Sequence, residues 1–173
     1  MDAAAARHPE VTYEPVLIDA TLAGLVGGGA ASEPMVIPCL NRDGDLLSDL
    51  VLPLFGSIAG AESILLSLDA DLNPIAVMAE APHGTAPALL GKDIANPMAM
   101  ILAGAALLHF AALKGAAPRA ERASRAIYEA VLECTASGVR TPDLGGHAST
   151  TEFTHDVIAR VRAKLEAWES LGA

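Results

Sequence analysis

Two aspartates, Asp45 and Asp49, lie four residues apart and could together bind a metal ion. If this segment is helical, both carboxylates lie on one face near the start of the helix. Carboxylate oxygens are the ligands that hard divalent cations prefer. A simpler interpretation also fits, in which Asp45 caps the helix and Asp49 is a solvated residue stabilised by the helix dipole. On residue types and spacing alone, this structural role is the better supported.

The loop at residues 80–97 is a second candidate site, and it joins an apolar strand to a predicted helix. Gly84 and Gly91 permit positive φ and close approach of a ligand to the backbone, while Pro82 and Pro87 stiffen the chain. Such a loop can wrap a flat or phosphorylated ligand, although most loops of this composition are ordinary turns. The residues alone therefore leave both interpretations open.

Composition limits the kinds of partner. The chain has 173 residues, enough for one domain with a real core, and a net charge of −10. This charge argues against nucleic acid as a partner, because phosphates would be repelled. Hydrophobic residues make up 52% of the chain, and the mean hydropathy is +0.39. We therefore expect apolar surface that an oligomer or another chain covers.

The cysteines, the N-terminal residues and one apolar run bear on the cellular compartment in which the protein is expected. Cys39 and Cys134 are far apart without metal-ligand spacing, which predicts two reduced, buried thiols. No charged-then-apolar leader precedes the fold, so we expect no signal peptide. The apolar run at residues 98–113 is shorter than the roughly 20 residues that cross a bilayer. These features predict a cytoplasmic protein that does not enter a membrane.

Alternating strand and helix patterns predict an α/β fold with mostly parallel strands flanked by helices. We expect strands at residues 11–18, 35–40 and 74–79. Residues 56–73 are expected to be irregular. The predicted helices cover residues 21–26, 45–55, 97–113 and 119–137. A final helix begins at the capping box Ser149-Thr-Thr-Glu152. Asn96 should cap the helix of residues 97–113, and Glu121 should pair with Arg125 on the next.

Several motifs follow one another along the chain. They are Ile18-Asp-Ala20, Gly44-Asp-Leu-Leu-Ser-Asp49, Glu80-Ala-Pro-His-Gly-Thr-Ala-Pro with Asn96-Pro97, Asp143-Leu-Gly-Gly and Thr151-Glu-Phe-Thr. Together they resemble the metal-dependent β-decarboxylating dehydrogenases, the family of isocitrate, isopropylmalate, homoisocitrate and tartrate dehydrogenases. The resemblance covers nearly the whole chain and corresponds to the C-terminal half of such an enzyme. It implies a partial fold of this family. Residues 1–60 would be a remnant of the dimerisation and metal-site domain, and residues 61–173 the C-terminal part of the coenzyme-binding domain.

The resemblance implies a metal site. In the family, the segment matching residues 44–49 carries two ligands of Mg²⁺ or Mn²⁺, and a third aspartate reaches across from the partner subunit. Asp45, Asp49 and Asp19 match these positions, which implies a homodimer. The metal chelates the hydroxyl and carboxylate of a small 2-hydroxy acid. It then polarises the carbonyl of the oxidised intermediate so that CO₂ can leave.

The resemblance also implies a site for NAD or NADP. The matching residues are Glu80, His83, Gly84, Thr85, Ala86, Pro87 and Asn96. Relatives that use NAD carry an aspartate, and those that use NADP a lysine and a tyrosine, where this chain has Ala88-Leu89. Coenzyme binding should therefore be weaker and poorly discriminating, since losing one charge-assisted hydrogen bond costs about 1.5–3 kcal/mol. A second departure is Arg42-Asp43, where the family has apolar or aromatic residues.

The family's substrate arginines, catalytic tyrosine and catalytic lysine precede the part that this chain matches. The resemblance thus implies a truncated oxidoreductase portion, inactive alone, whose complementary N-terminal half-chain is elsewhere. One alternative is a non-catalytic dimeric module that binds metal or nucleotide for a regulatory role. Another is a degenerate scaffold whose motifs only shape loops.

Overall fold

The computed structural model of the chain describes residues 2–27, 35–54, 56–115 and 118–170. The strands among them are β1 (Ser63–Leu68) and β2 (Pro74–Glu80). The helices are α1 (Asp2–Ala5), α2 (Ile18–Val26), α3 (Asn41–Leu54), α4 (Met98–Leu113), α5 (Pro118–Ala136) and α6 (Thr150–Ser170). Short 3₁₀ turns lie at Ile58–Gly60, Pro87–Leu89 and Pro142–Leu144. The α/β class is confirmed, and the chain divides into two compact units, Met1–Leu54 and Phe55–Ala173.

In the first unit, α2 and α3 contact each other, and residues 11–17 and 35–40 form neither helix nor strand. The strands predicted at residues 11–18 and 35–40 are therefore wrong. Both runs are apolar enough for a strand, but a strand needs a neighbour to satisfy its backbone groups. Within the described residues, neither run has one. The chain instead enters α2 at Ile18, and the helix ends where the Gly27 N–H bonds to the Ala23 carbonyl at 2.9 Å.

Helix α3 begins at Asn41 rather than at Asp45, because the Gly44 N–H already bonds to the Leu40 carbonyl at 2.8 Å. Its Leu47 is buried, with 5% of its surface exposed. Three other leucines of the same helix are exposed: Leu46, Leu50 and Leu54. The cysteine prediction is right only for Cys134, since both cysteines are free but Cys39 is exposed.

The second unit is built around α4, α5 and α6. Helix α5 packs between the other two, and α4 also covers one face of the sheet through its contacts with β2. The core consists of Met98, Leu102, Ala130, Val131, Cys134, Phe153 and Val157. Phe153 is completely buried. Burying such a side chain contributes roughly 1.5–3 kcal/mol to the free energy of unfolding. Because Met98 and Phe153 lie in the first turns of α4 and α6, the core holds the starts of these two helices.

The sheet is a single antiparallel pair in which Leu65 faces Met78 and Leu66 faces Val77. Strand β2 confirms the prediction for residues 74–79, but β1 lies in a segment expected to be irregular. The turn between the strands is tied by the Asp69 carboxylate, which accepts the N–H groups of Asp71 and Asn73, each at 2.9 Å. The parallel strands expected from the sequence do not occur in the described part of the chain.

Side-chain caps define the helices that surround the candidate loop. The Asn96 side-chain oxygen accepts the Met98 N–H at 3.0 Å, as predicted for the start of α4. The capping box of α6 is confirmed. The Glu152 carboxylate accepts the Ser149 N–H at 2.8 Å, and the Ser149 hydroxyl accepts the Glu152 N–H at 3.1 Å.

The predicted ion pair between Glu121 and Arg125 is wrong. Arg125 instead bonds to Glu129 one turn later, at 2.8 Å. Glu121 bonds to His109 of α4, also at 2.8 Å. No helix in the described ranges is long and apolar enough to cross a membrane.

The turn after α5 depends on Gly146. A Cβ atom added there would overlap the carbonyl oxygen and Cβ of Arg140, whereas one added at Gly104 in α4 would meet nothing within 4 Å. Gly146→Ala should lower the free energy of unfolding by at least about 1–3 kcal/mol, the usual cost of overpacking. Gly104→Ala should leave it unchanged or raise it by about 1 kcal/mol. Urea denaturation of both variants checks this, and equal midpoints would contradict it.

Candidate functional site

The first half of the loop between β2 and α4 is open to solvent. Gly84, Thr85, Ala86 and Pro87 are all exposed. His83 is half-buried, and its Nδ1 lies 3.0 Å from the Gly84 carbonyl oxygen. A Cβ atom at Gly84 would meet nothing within 4 Å. A ligand can therefore approach the backbone here without displacing protein atoms.

The loop backbone takes an unusual path. Ala86 has φ 42° and ψ 62°, which is the left-handed region, and the 3₁₀ turn Pro87–Leu89 follows directly. Asp93 also has a positive φ, of 54°. Non-glycine residues in this region are uncommon and cost of order 1–3 kcal/mol when held there. Such backbone strain is frequent in ligand-binding loops, and it makes the loop a candidate site.

The second half of the loop is anchored to the first turn of α6. The Asp93 carboxylate accepts the Thr151 N–H at 3.0 Å and the Thr151 hydroxyl at 2.8 Å. The Thr150 N–H donates to the Asp93 carbonyl at 2.9 Å, and the Thr150 hydroxyl to the Ala95 carbonyl at 2.5 Å. The loop thus has an open half that can receive a ligand and a fixed half that holds it against the helical core.

A second set of hydrogen bonds converges on Asp143 and holds the end of the loop. The Asp143 carboxylate accepts the Ser57 hydroxyl at 2.5 Å, the Thr141 hydroxyl at 2.6 Å and the Asn96 side-chain N–H at 2.9 Å. Asn96 is the last of the predicted coenzyme residues, and its side chain is held at both ends because its oxygen also caps Met98. Asp143 belongs to one of the family motifs in the sequence, but the sequence alone does not indicate its contact with Asn96.

Both anchoring carboxylates are stabilised in the ionised form. Burial raises the pKa of Asp143, but the hydrogen bonds from Ser57, Thr141 and Asn96 outweigh it and leave the pKa below its ordinary value. The pKa of Asp93 is lowered chiefly by the hydrogen bond from the Thr151 hydroxyl.

A cavity of about 580 Å³ adjoins Asp143 in the same unit. Its apolar wall includes Met98 and Leu102, and its polar wall includes Glu62, Tyr128 and Arg140. The Tyr128 hydroxyl donates a hydrogen bond to the Glu62 carboxylate. Burial, and then this carboxylate, raise the pKa of Tyr128 above its ordinary value. Sequence reasoning missed this cavity, because its residues come from segments that are far apart in the chain.

The predicted metal ligands lie in the first unit. Asp45 and Asp49 are exposed on one face of α3, and Asp19 is exposed in the first turn of α2. The Asp45 carboxylate lies 3.5 Å from the Asn41 side-chain nitrogen, and the Asp19 carboxylate accepts the Ala20 N–H at 2.8 Å. Oxygen donors on one helix face suit Mg²⁺ or Mn²⁺. In the described ranges no three His, Cys, Asp or Glu side chains converge as a metal site. The three-aspartate site, with its third ligand expected from a partner subunit, stays a prediction.

Stability should depend on pH through Asp93 and Asp143. Because both folded-state pKa values lie below the ordinary value of about 3.9, their stabilisation is complete above that value. It is lost as pH falls through the folded values. The free energy of unfolding should thus be nearly flat above about pH 5 and fall below about pH 4.

The variant Asp93→Asn should show a smaller decrease in the free energy of unfolding as the pH falls below about 4, because it lacks this titrating carboxylate. Asp71→Asn is the control, because the Asp71 side chain makes no hydrogen bond within the described residues. Urea unfolding at a series of pH values measures both. An acid slope for Asp93→Asn equal to that of the wild-type chain would contradict the assignment.

Comparison with known proteins identifies the family. The family model for isocitrate/isopropylmalate dehydrogenase matches residues 1–157. The chain is 38% identical over 151 residues to the mitochondrial isocitrate dehydrogenase [NAD] catalytic subunit 5 of Arabidopsis thaliana, covering 87% of this chain and 37% of the relative. It is 40% identical over 128 residues to the isocitrate/homoisocitrate dehydrogenase of Thermus thermophilus, covering 74% of this chain and 34% of the relative.

Solved structures agree. The apo β-decarboxylating dehydrogenase of Thermococcus kodakarensis superposes with a TM-score of 0.73 at 32% identity, covering 95% of this chain and 44% of that one. Isocitrate dehydrogenase of Methylococcus capsulatus gives a TM-score of 0.67, also at 32% identity, over 91% of this chain and 43% of that one. The chain thus spans between 34% and 44% of the length of these relatives. It belongs to the isocitrate/isopropylmalate dehydrogenase family.

Proposed function

We propose that this chain supplies the coenzyme-binding and metal-binding portion of a dehydrogenase that oxidatively decarboxylates a 2-hydroxy acid, and that it is inactive alone. The observation that carries the proposal is the loop before α4, whose exposed half is open while Asn96 is held at both ends of its side chain. The two contacts of Asn96 join segments 47 residues apart as well as capping α4. A loop that must present fixed polar groups to a ligand requires such anchoring.

The coenzyme is NAD or NADP, which accepts a hydride from the substrate when bound. Glu80, at the end of β2, lies towards the nicotinamide half of the coenzyme. The adenosine half is held by His83, Gly84, Thr85, Ala86, Pro87 and Asn96. Ala88 lies within the 3₁₀ turn and offers no charge to the ribose or to a 2′-phosphate. Binding is accordingly weak, with little preference between the two coenzymes.

The metal is Mg²⁺ or Mn²⁺, which polarises the substrate oxygens when bound. Asp45 and Asp49 hold it from one subunit and Asp19 from the other, so the site requires a dimer. The exposure of all three carboxylates supports this arrangement, because they are free to reach a metal at a subunit contact. Neither nucleic acid nor a membrane takes part, and the protein works in the cytoplasm.

The substrate is held and turned over by groups that this chain does not carry, on a complementary N-terminal half of the fold. The exposed face of the sheet supports this requirement: Leu65 is 66% exposed and its cross-strand neighbour Met78 is 48% exposed. A two-stranded sheet is marginally stable without further strands or helices. The complementary half covers this apolar face and brings the missing acid–base groups to the metal and the coenzyme.

A second candidate function is a non-catalytic dimeric module that binds metal or nucleotide in a regulatory role. The Arg42–Asp43 ion pair in the first turn of α3, at 3.6 Å, favours it, because it places charge beside the proposed substrate position. Under this alternative, ligands stabilise the protein but no complementary half restores turnover.

Calorimetric titration tests the proposed sites. The purified chain should bind NADH and NADPH saturably and with similar, weak affinity, and Mn²⁺ should bind independently of either.

The variant Asp45→Asn/Asp49→Asn should lose Mn²⁺ binding and keep NADH binding, because the two sites lie in different units. Asp71→Asn, in the turn between β1 and β2, is the control for both. No heat of binding with any coenzyme would overturn the coenzyme proposal. Mn²⁺ binding by the double variant would overturn the metal proposal.

A further inference from the structure

We propose that Asp143 is a positioning residue of the coenzyme site. Its carboxylate fixes the orientation of the Asn96 side chain and also bonds to Ser57, near the start of the second unit. The inference rests on the proposed coenzyme role of Asn96. The two residues lie 47 positions apart, and the Asp143 carboxylate accepts the Asn96 side-chain N–H at 2.9 Å. Asp143 need not touch the coenzyme itself.

The two contacts of Asn96 define which way its amide points. An ionised carboxylate only accepts hydrogen bonds, so the group that faces Asp143 must be the Asn96 nitrogen. A backbone N–H only donates, so the group that faces Met98 must be the Asn96 oxygen. Turning the amide over would set oxygen against oxygen at one end and donor against donor at the other. The amide is therefore locked in one orientation.

The lock leaves part of the amide available. One hydrogen on the Asn96 nitrogen and one lone pair on its oxygen are not used by Asp143 and Met98. These are a donor and an acceptor in fixed places, which suits the edge of a heteroaromatic base such as adenine. If the amide were free to rotate, a ligand would have to order it on binding, which weakens affinity.

Asp143 is itself held in place. The Ser57 hydroxyl also accepts the Ala59 N–H at 3.0 Å, and the Thr141 hydroxyl reaches Asp143 from two residues before it. Ser57 and Thr141 are both buried. The Ser57 and Thr141 hydroxyls thus hold the Asp143 carboxylate in the position from which it orients Asn96.

A double-mutant cycle tests the inference. Asp143→Asn and Asn96→Ala should each weaken NADH binding, on the order of tenfold for one charge-assisted hydrogen bond. The double variant should bind no more weakly than Asn96→Ala, because without Asn96 there is nothing for Asp143 to orient. Asp71→Asn should bind as the wild-type chain does. Fully additive losses, or an unchanged affinity in Asp143→Asn, would overturn the inference.

A second measurement separates this inference from the coenzyme proposal. In the wild-type chain, the Asn96 side-chain hydrogen that faces Asp143 should exchange with solvent more slowly than the other hydrogen on the same nitrogen, as measured by ¹⁵N-edited NMR. In Asp143→Asn this difference should be lost while the core amides of α4 remain protected. If the wild-type chain bound no coenzyme but this difference were present, the coenzyme proposal would fail and the positioning role would stand. Equal exchange in both proteins would overturn the positioning role.

Discussion

The carboxylate of Asp143 is the contact on which the candidate site depends. It joins the segment before β1, the loop before α4 and the turn before α6 through three hydrogen bonds of 2.5–2.9 Å. Hydrogen bonds to a charged group are among the stronger polar contacts in proteins, of about 1.5–3 kcal/mol. They can be made only if α4, α5 and α6 bring these segments together. The helical core around Phe153 therefore supports the loop. Residues 84–87 can be exposed because Asp93 and Asn96 hold the rest of the loop in place.

The second constraint is the sheet. Two antiparallel strands provide too little hydrogen bonding and too little buried area to be stable alone, and α4 covers only part of them. The outer pair Leu65 and Met78 stays exposed, as does Leu132 on α5. Apolar surface of this kind marks a place where another piece of protein binds. The chain covers 37% of the length of an Arabidopsis relative, and this face is where we propose that a complementary part of the family fold binds.

Local signals in the sequence were sufficient for the features that depend on a few neighbouring residues. The Asn96 cap and the capping box at Ser149 were predicted correctly, because each is set by contacts within its own segment. The strand at residues 74–79 was also predicted correctly, and it forms because β1 pairs with it. The strands predicted at residues 11–18 and 35–40 failed, because an apolar run becomes a strand only beside another strand. Strand β1 and its antiparallel pairing with β2 were missed for a similar reason, since the pairing depends on the turn at Asp69 and on the face that α4 covers.

The residues assigned to the coenzyme and the metal came from resemblance, and their roles stay predictions. The contacts of Asp143 with Ser57 and Asn96 could not be predicted, because they join segments that are far apart in the sequence. We propose that this chain is one part of a dehydrogenase. The most direct test mixes it with a purified polypeptide that carries the remaining part of the Thermus thermophilus relative, and follows isocitrate-dependent reduction of NAD in the presence of Mn²⁺. We expect NAD to be reduced when the two polypeptides are mixed and not to be reduced by either polypeptide alone. Formation of a stable complex without any reduction of NAD would contradict the proposal.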